Sequence, residues 1–291
     1  MLHLLYGPAA SGKTDLLMGR IRAAVAARTP GQVLLVPEQY SHEAERALCA
    51  ACGDSLSLYA EVLSFTGLAR RVAAETGAGD APLLDQGGRL LCMALALDQV
   101  APRLRLFGAA ARRAQMQQTL LGAVDELKTA CVTPDALEAT AARCPGYLGD
   151  KLRDLSLIYG IYLSKLHAPG HDARDVLEKL EENLEASGYI DNKDIFLDGF
   201  SYFTGRELRI LRILLRRAKS VTVTLLGDTQ DRELFSESLR VRERLYALAR
   251  DAGVACEEEI LPQGEVRGAL DHIERLSLIH ISEPTRQEAI S

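Results

Sequence analysis

The sequence predicts an α/β fold: a parallel sheet that carries a phosphate-binding loop and is interrupted by an inserted helical domain. Three observations predict it. Gly7-Pro8-Ala9-Ala10-Ser11-Gly12-Lys13-Thr14 completes the pattern GxxxxGK[ST] directly after the mostly apolar run Leu2-His3-Leu4-Leu5-Tyr6. Strand-length apolar runs alternate with segments of helical periodicity near both ends of the chain. Between them, a stretch of about a hundred residues carries helical periodicity and no strand signal.

Taken in order, Leu2–Tyr6 reads as a buried strand, and Asp15-Leu16-Leu17-Met18-Gly19-Arg20-Ile21 has apolar side chains at helical spacing. The loop therefore opens a helix whose N-terminus favours anions. Val33-Leu34-Leu35-Val36, stopped by Pro37, is a second parallel strand. Ser41 reads as the cap of the next helix, with acids in its first turn. Leu56–Phe65 contains a third strand that leads into a helix from Thr66. From Leu83 to Leu184 the spacing is helical, broken at Pro134, Pro145 and Pro169-Gly170. Strands return within Asp194–Phe200 and Ser220–Asp228, separated by a helix from Gly205 to Ala218. The expected division is an α/β core at 1–82 and 190–275, a helical insertion at 83–189, and a separate tail at 276–291.

Composition is that of a globular chain: 291 residues, 47% hydrophobic and 25% charged. The net charge of −6 means that any nucleic-acid contact has to come from local basic faces. No run of 18 apolar residues exists, and the expectation is a cytoplasmic protein with no membrane partner. Six scattered cysteines do not suggest a disulfide framework, and Cys49-Ala-Ala-Cys52 lacks a second ligand pair for a metal.

Chemistry is expected at the loop. Its glycines let successive N–H groups point at phosphate oxygens, Lys13 reaches the β/γ-phosphates and the Thr14 hydroxyl can ligate Mg²⁺. The same site needs a carboxylate at the end of a neighbouring strand, and Asp198 after Ile195-Phe196-Leu197 is the candidate, although Asp-Gly is also a common turn dipeptide. Gly199 stands where an acidic water-activating residue is usual, which predicts nucleotide binding with slow or no turnover. Asp228-Thr229-Gln230 ends another strand, with Gln230 a candidate γ-phosphate sensor. Arg103, Arg105, Arg112 and Arg113 form one basic group, and Arg206, Arg209, Arg212 and Arg216 another on a single helical face; Arg209, Arg212 and Arg216 are candidate DNA contacts, though solvated faces also look like this. His42, His167 and His171 read as surface histidines.

Together, GPAASGKT, Leu35-Val36-Pro37-Glu38-Gln39, Val62-Leu63-Ser64-Phe65 with Leu68-Ala69-Arg70-Arg71-Val72, Lys151-Leu152-Arg153-Asp154-Leu155 with Ile158-Tyr159, Asp198-Gly199-Phe200 with Phe203-Thr204 and Glu207, and Val221-Thr222-Val223-Thr224-Leu225 resemble the opening of the AddB family. These are the B subunits of bacterial AddAB helicase-nucleases. The resemblance implies a superfamily-1-like helicase core 1A interrupted by helical 1B, ATP and Mg²⁺ as ligands, and a heterodimer with an AddA-like motor subunit. It also implies action on DNA in double-strand break repair by homologous recombination, and recognition of Chi. A C-terminal nuclease with an iron-sulfur cluster is implied only beyond this chain. Leu276-Ser277-Leu278-Ile279-His280-Ile281-Ser282-Glu283-Pro284-Thr285-Arg286 resembles the translation of a transposon-end sequencing adapter, so the natural protein is expected to continue past Arg275. The alternatives from other classes are a stand-alone P-loop ATPase or small-molecule kinase, and a nucleotide-dead scaffold.

Overall fold

The computed structural model describes residues 1–53, 56–77, 83–166, 171–172, 175–227 and 235–262. Asp228, Thr229 and Gln230, together with His167 and the tail at 276–291, lie outside the described residues. The described chain divides into two compact units. One comprises Met1–Leu68, Gly188–Phe203 and the described residues from Leu211 on; the other comprises Ala69–Ser187 and Thr204–Ile210.

The first unit is built on a six-stranded, wholly parallel sheet. Its strands are β1 (Leu2–Gly7), β2 (Gln32–Leu35), β3 (Ala60–Leu63), β6 (Asp194–Leu197), β7 (Ser220–Leu226) and β8 (Cys256–Ile260), in the spatial order β3-β2-β6-β7-β1-β8. β2 has every residue buried and β1 all but one, as strands covered on both faces require. α1 (Lys13–Ala26) buries Leu17, Ile21 and Val25, a three- and four-residue spacing, in a core shared with Leu5, Leu34, Leu48 and Phe196.

Three details refine what the sequence predicts. Leu56–Tyr59 is a single helical turn, α3, and only Ala60–Leu63 is strand. Ser41 does not cap α2 (Ser41–Cys52): it is the first helical residue, and its hydroxyl donates back to the Glu38 carbonyl at 2.9 Å. The helix expected from Thr66 is α4 (Phe65–Thr76). The chain after Gln230 adds α11 (Ser236–Asp251) and β8, whose Leu2 to Tyr6 partners in β1 fix its register.

Among its described residues, the regular structure of the second unit is helical apart from a two-residue parallel pairing of β4 (Leu83–Leu84) with β5 (His171–Asp172), which no sequence signal announced. Its main elements are α5 (Gln86–Val100), α6 (Ala114–Thr129), α7 (Pro134–Ala141), α8 (Tyr147–Leu166) and α9 (Val176–Leu184). Met93, Ala96, Leu97, Leu120, Val124, Ile158 and Tyr162 form its core. Asp85 and Thr133 cap α5 and α7 by accepting the Gly88 and Ala136 N–H groups, and Pro134 occupies the first turn where no N–H is needed. Asp154 is buried and accepts the N–H groups of Arg105, Leu106 and Phe107 at 2.9, 2.8 and 3.1 Å, so its charge is spent on fixing a loop.

Candidate functional site

The loop from Gly7 to Thr14 leaves the C-terminal end of β1 and enters α1 with Gly12 as N-cap at φ 81°, a left-handed conformation that glycine adopts at no steric cost. Gly7 is constrained differently: a Cβ there would lie 2.8 Å from Ser11 Oγ and 2.9 Å from the Leu261 carbonyl oxygen. Both glycines of the pattern are thus demanded by local geometry. Among the described residues the N-cap Gly12 supplies no side-chain cap to α1, whose N-terminus favours an anion.

Lys13 lies across the loop it belongs to. Its ammonium donates to the Gly7 carbonyl at 2.8 Å, the Pro8 carbonyl at 2.5 Å and Ser11 Oγ at 3.1 Å. A cation is therefore already stationed in the concavity of the loop, on a stem long enough to exchange these carbonyls for the oxygens of an anion. The Gly7 carbonyl also accepts the Gly227 N–H at 2.9 Å, which ties the loop to the end of β7.

Asp198 follows β6, two strands away from β1, and reaches the loop across the end of β7. Thr14 Oγ1 donates to Asp198 Oδ2 at 2.9 Å. The two residues that the sequence assigned to a metal are thus brought together from 184 positions apart. Asp198 Oδ1 accepts a second hydroxyl, that of Thr224 on β7, a residue that nothing in the sequence singles out. The donor set is a hydroxyl and a carboxylate, hard oxygen ligands of the kind Mg²⁺ takes together with phosphate oxygens and water. These residues fit that ion.

Next to Asp198, Gly199 takes φ 79°, so the missing acid is a matter of backbone as well as of identity. Phe200 packs against Phe65 and Phe203 with ring centroids 5.6 and 5.2 Å apart. At the neighbouring strand ends Glu38 accepts the Thr66 hydroxyl at 2.5 Å, and Tyr40 and Tyr202 are exposed.

The expected basic face on α10 (Gly205–Arg217) is present but is not uniform. Arg209, Arg212 and Arg216 are exposed. Arg206 is instead half-buried and held by Glu181 at 2.7 Å and Glu178 at 3.3 Å, which raise its pKa despite burial, and Arg209 lies 3.8 Å from the same Glu181. In the other group Arg105 pairs with Asp150 and Arg112 lies 3.4 Å from Asp98. All six cysteines are free thiols, and no group of three potential metal ligands from His, Cys, Asp and Glu occurs among the described residues. No helix among them is long and apolar enough to cross a membrane.

A parallel sheet with a GxxxxGKT loop at the C-terminal end of β1 and an aspartate held to its threonine defines the P-loop class of α/β proteins. Residues 4–276 match the family model described as "ADDB, N-terminal", and the chain belongs to that family. Among curated relatives, the B subunit of the ATP-dependent helicase/deoxyribonuclease from Desulforudis audaxviator is 36% identical over 94% of this chain. The proteins of the same name from Geobacillus kaustophilus and Acetivibrio thermocellus are 32% and 30% identical over 94% and 89% of the chain. The chain spans about a quarter of the length of these relatives: 25%, 25% and 23%.

Proposed function

We propose that this chain is the ATP-binding, helicase-like N-terminal region of the B subunit of a heterodimeric helicase-nuclease that processes DNA ends for double-strand break repair by homologous recombination. The observation that carries the reading is the contact between Thr14 and Asp198 beneath a complete phosphate loop. In this account residues 7–14 bind the triphosphate: the loop N–H groups cradle it and Lys13 compensates its β/γ charge. Thr14 and Asp198 hold Mg²⁺, which would neutralise charge on the phosphates when bound. Gln230 senses the γ-phosphate. Arg209, Arg212 and Arg216 meet DNA phosphates, and Chi recognition belongs to the same region.

Residues 1–82 and 190–275 constitute the 1A-like core and 83–189 the 1B-like insertion. The relatives' shared name supports ATP dependence, a DNA substrate and a second subunit, which we assign as AddA-like. With glycine at 199, turnover is slow, and the motor activity rests with the partner subunit. We assign the nuclease and its iron-sulfur cluster to the part of the whole subunit outside this chain, which spans 25% of the length of the Desulforudis relative.

Equilibrium binding of a fluorescent ATP analogue, with and without single-stranded DNA, separates the candidates. The proposed subunit binds both ligands, and its DNA affinity drops with rising salt. A small-molecule kinase binds the nucleotide and ignores DNA. A nucleotide-dead scaffold binds no nucleotide, and that outcome would overturn the reading.

A further inference from the structure

Asp198 is gripped from two sides. β7 lies between β1 and β6, and the registers Leu197–Val223 and Tyr6–Leu225 place Thr224 abreast of Asp198 on the path between it and the loop. Thr224 is 5% exposed. Its hydroxyl donates to Asp198 Oδ1, while the competing acceptor, the Leu197 carbonyl, is at 3.5 Å, the outer limit for a bond. A hydroxyl has one proton to give, so that proton belongs to the carboxylate. Thr14, by contrast, is exposed, and its proton goes to Oδ2. A strand needs only a β-branched side chain at position 224, and valine would satisfy that. The hydroxyl answers to Asp198.

We propose that Thr224 is a positioning residue for the cation site, an inference that rests on the nucleotide reading above. By occupying Oδ1 it fixes the rotation of the carboxylate, so that Oδ2 faces Thr14. Thr14, its proton committed to Asp198, then turns its lone pairs outward to the cation. Residues that orient a metal's ligands without touching the ion commonly change metal affinity about 10- to 100-fold when removed. Thr224 acts through Asp198 and not on the phosphates, so its effect belongs to the metal-dependent part of binding alone.

The test is a titration of the 291-residue chain with a fluorescent ATP analogue, in magnesium chloride and in EDTA, for the wild type, Thr224→Val and Thr224→Ser. The expected result is that Thr224→Val weakens binding about 10- to 100-fold in magnesium, leaves the EDTA value unchanged, and raises the magnesium concentration needed for half-maximal effect. Thr224→Ser, which keeps the hydroxyl, restores the wild-type values and serves as the folded control if the valine variant is unstable. In that case, Thr224→Ala replaces it. Equal weakening with and without magnesium, or unchanged magnesium dependence, overturns the role of Thr224 while leaving nucleotide binding intact. A wild-type chain that shows no magnesium-dependent binding takes down the underlying reading as well, and the wild-type baseline distinguishes the two failures.

Discussion

Truncating Lys13 to alanine isolates the function of the loop from its fold. Among the described residues the ammonium donates to two backbone carbonyls and one hydroxyl, and none of these three acceptors is orphaned when it leaves. The Gly7 carbonyl keeps the Gly227 N–H at 2.9 Å, the Pro8 carbonyl keeps the Ser11 N–H at 3.4 Å, and Ser11 is partly open to water. The fold therefore loses little, on the order of 1 kcal/mol or less, as for a neutral exchange of partners with solvent. Nucleotide binding loses a charge-assisted contact worth ~1.5–3 kcal/mol, which at about 1.4 kcal/mol per tenfold is roughly a 10- to 150-fold weaker complex. The assay is a fluorescent ATP-analogue titration in magnesium, paired with a thermal melt of each variant. A mutant that binds as tightly as the wild type would refute the assignment of Lys13 to phosphate; a mutant that melts many degrees lower would refute its independence from the fold.

Three further expectations rest on particular contacts. ATP turnover by the chain alone should fall below the usual range of about 1 to 100 per second, even with DNA, and Gly199→Glu should not restore it, because φ 79° strains any L side chain there; a DNA-stimulated rate within that range would contradict this. Gly227→Ala should destabilise by ~1–3 kcal/mol and weaken nucleotide binding, because a Cβ would land on the buried Tyr6 ring and push the Gly7 anchor away; unchanged denaturant midpoints would rule it out. Burial alone would raise the Asp194 pKa, but hydrogen bonds from Lys219, Ser220 and Gln32 and the Lys219 charge hold it below the usual carboxylate value. Its contribution is thus full above about pH 4 and fades as the pH falls through the depressed folded value. Asp194→Asn should lower stability at pH 7, and its gap from the wild type should narrow progressively as the pH falls below about 4; a gap that does not narrow on acidification would count against it.

The loop, its strand and its helix were legible because each depends on neighbours in sequence: the glycines on turn geometry, β1 and β2 on continuous apolar runs, α1 on helical spacing. Asp198 was legible as an acid at a strand end. What bound it was not, since Thr224 in Val221-Thr222-Val223-Thr224 looks like any β-branched strand residue until β7 is set beside β6. β8 was hidden for a related reason. Cys256-Glu257-Glu258-Glu259-Ile260 has no apolar alternation, and its place is secured by pairing with β1 and by cations from elsewhere in the chain. Arg242 donates two 2.5 Å bonds to Glu258 while lying over the Tyr6 and Tyr246 rings, and Arg20 reaches Glu259 at 2.8 Å. The uniform arginine face on α10 failed at Arg206 because periodicity cannot show that α9 brings Glu178 and Glu181 against it.

The central claim is that residues 7–14 recognise the β/γ-phosphates of a nucleotide, and competition binding tests it most directly. With a fluorescent ATP analogue bound to the chain in magnesium, unlabelled ATP and ADP should displace it completely, and AMP, which offers the loop no β- or γ-phosphate, should displace it only at concentrations about a hundredfold or more higher. Absence of saturable binding, or AMP competing as well as ATP, would contradict the account.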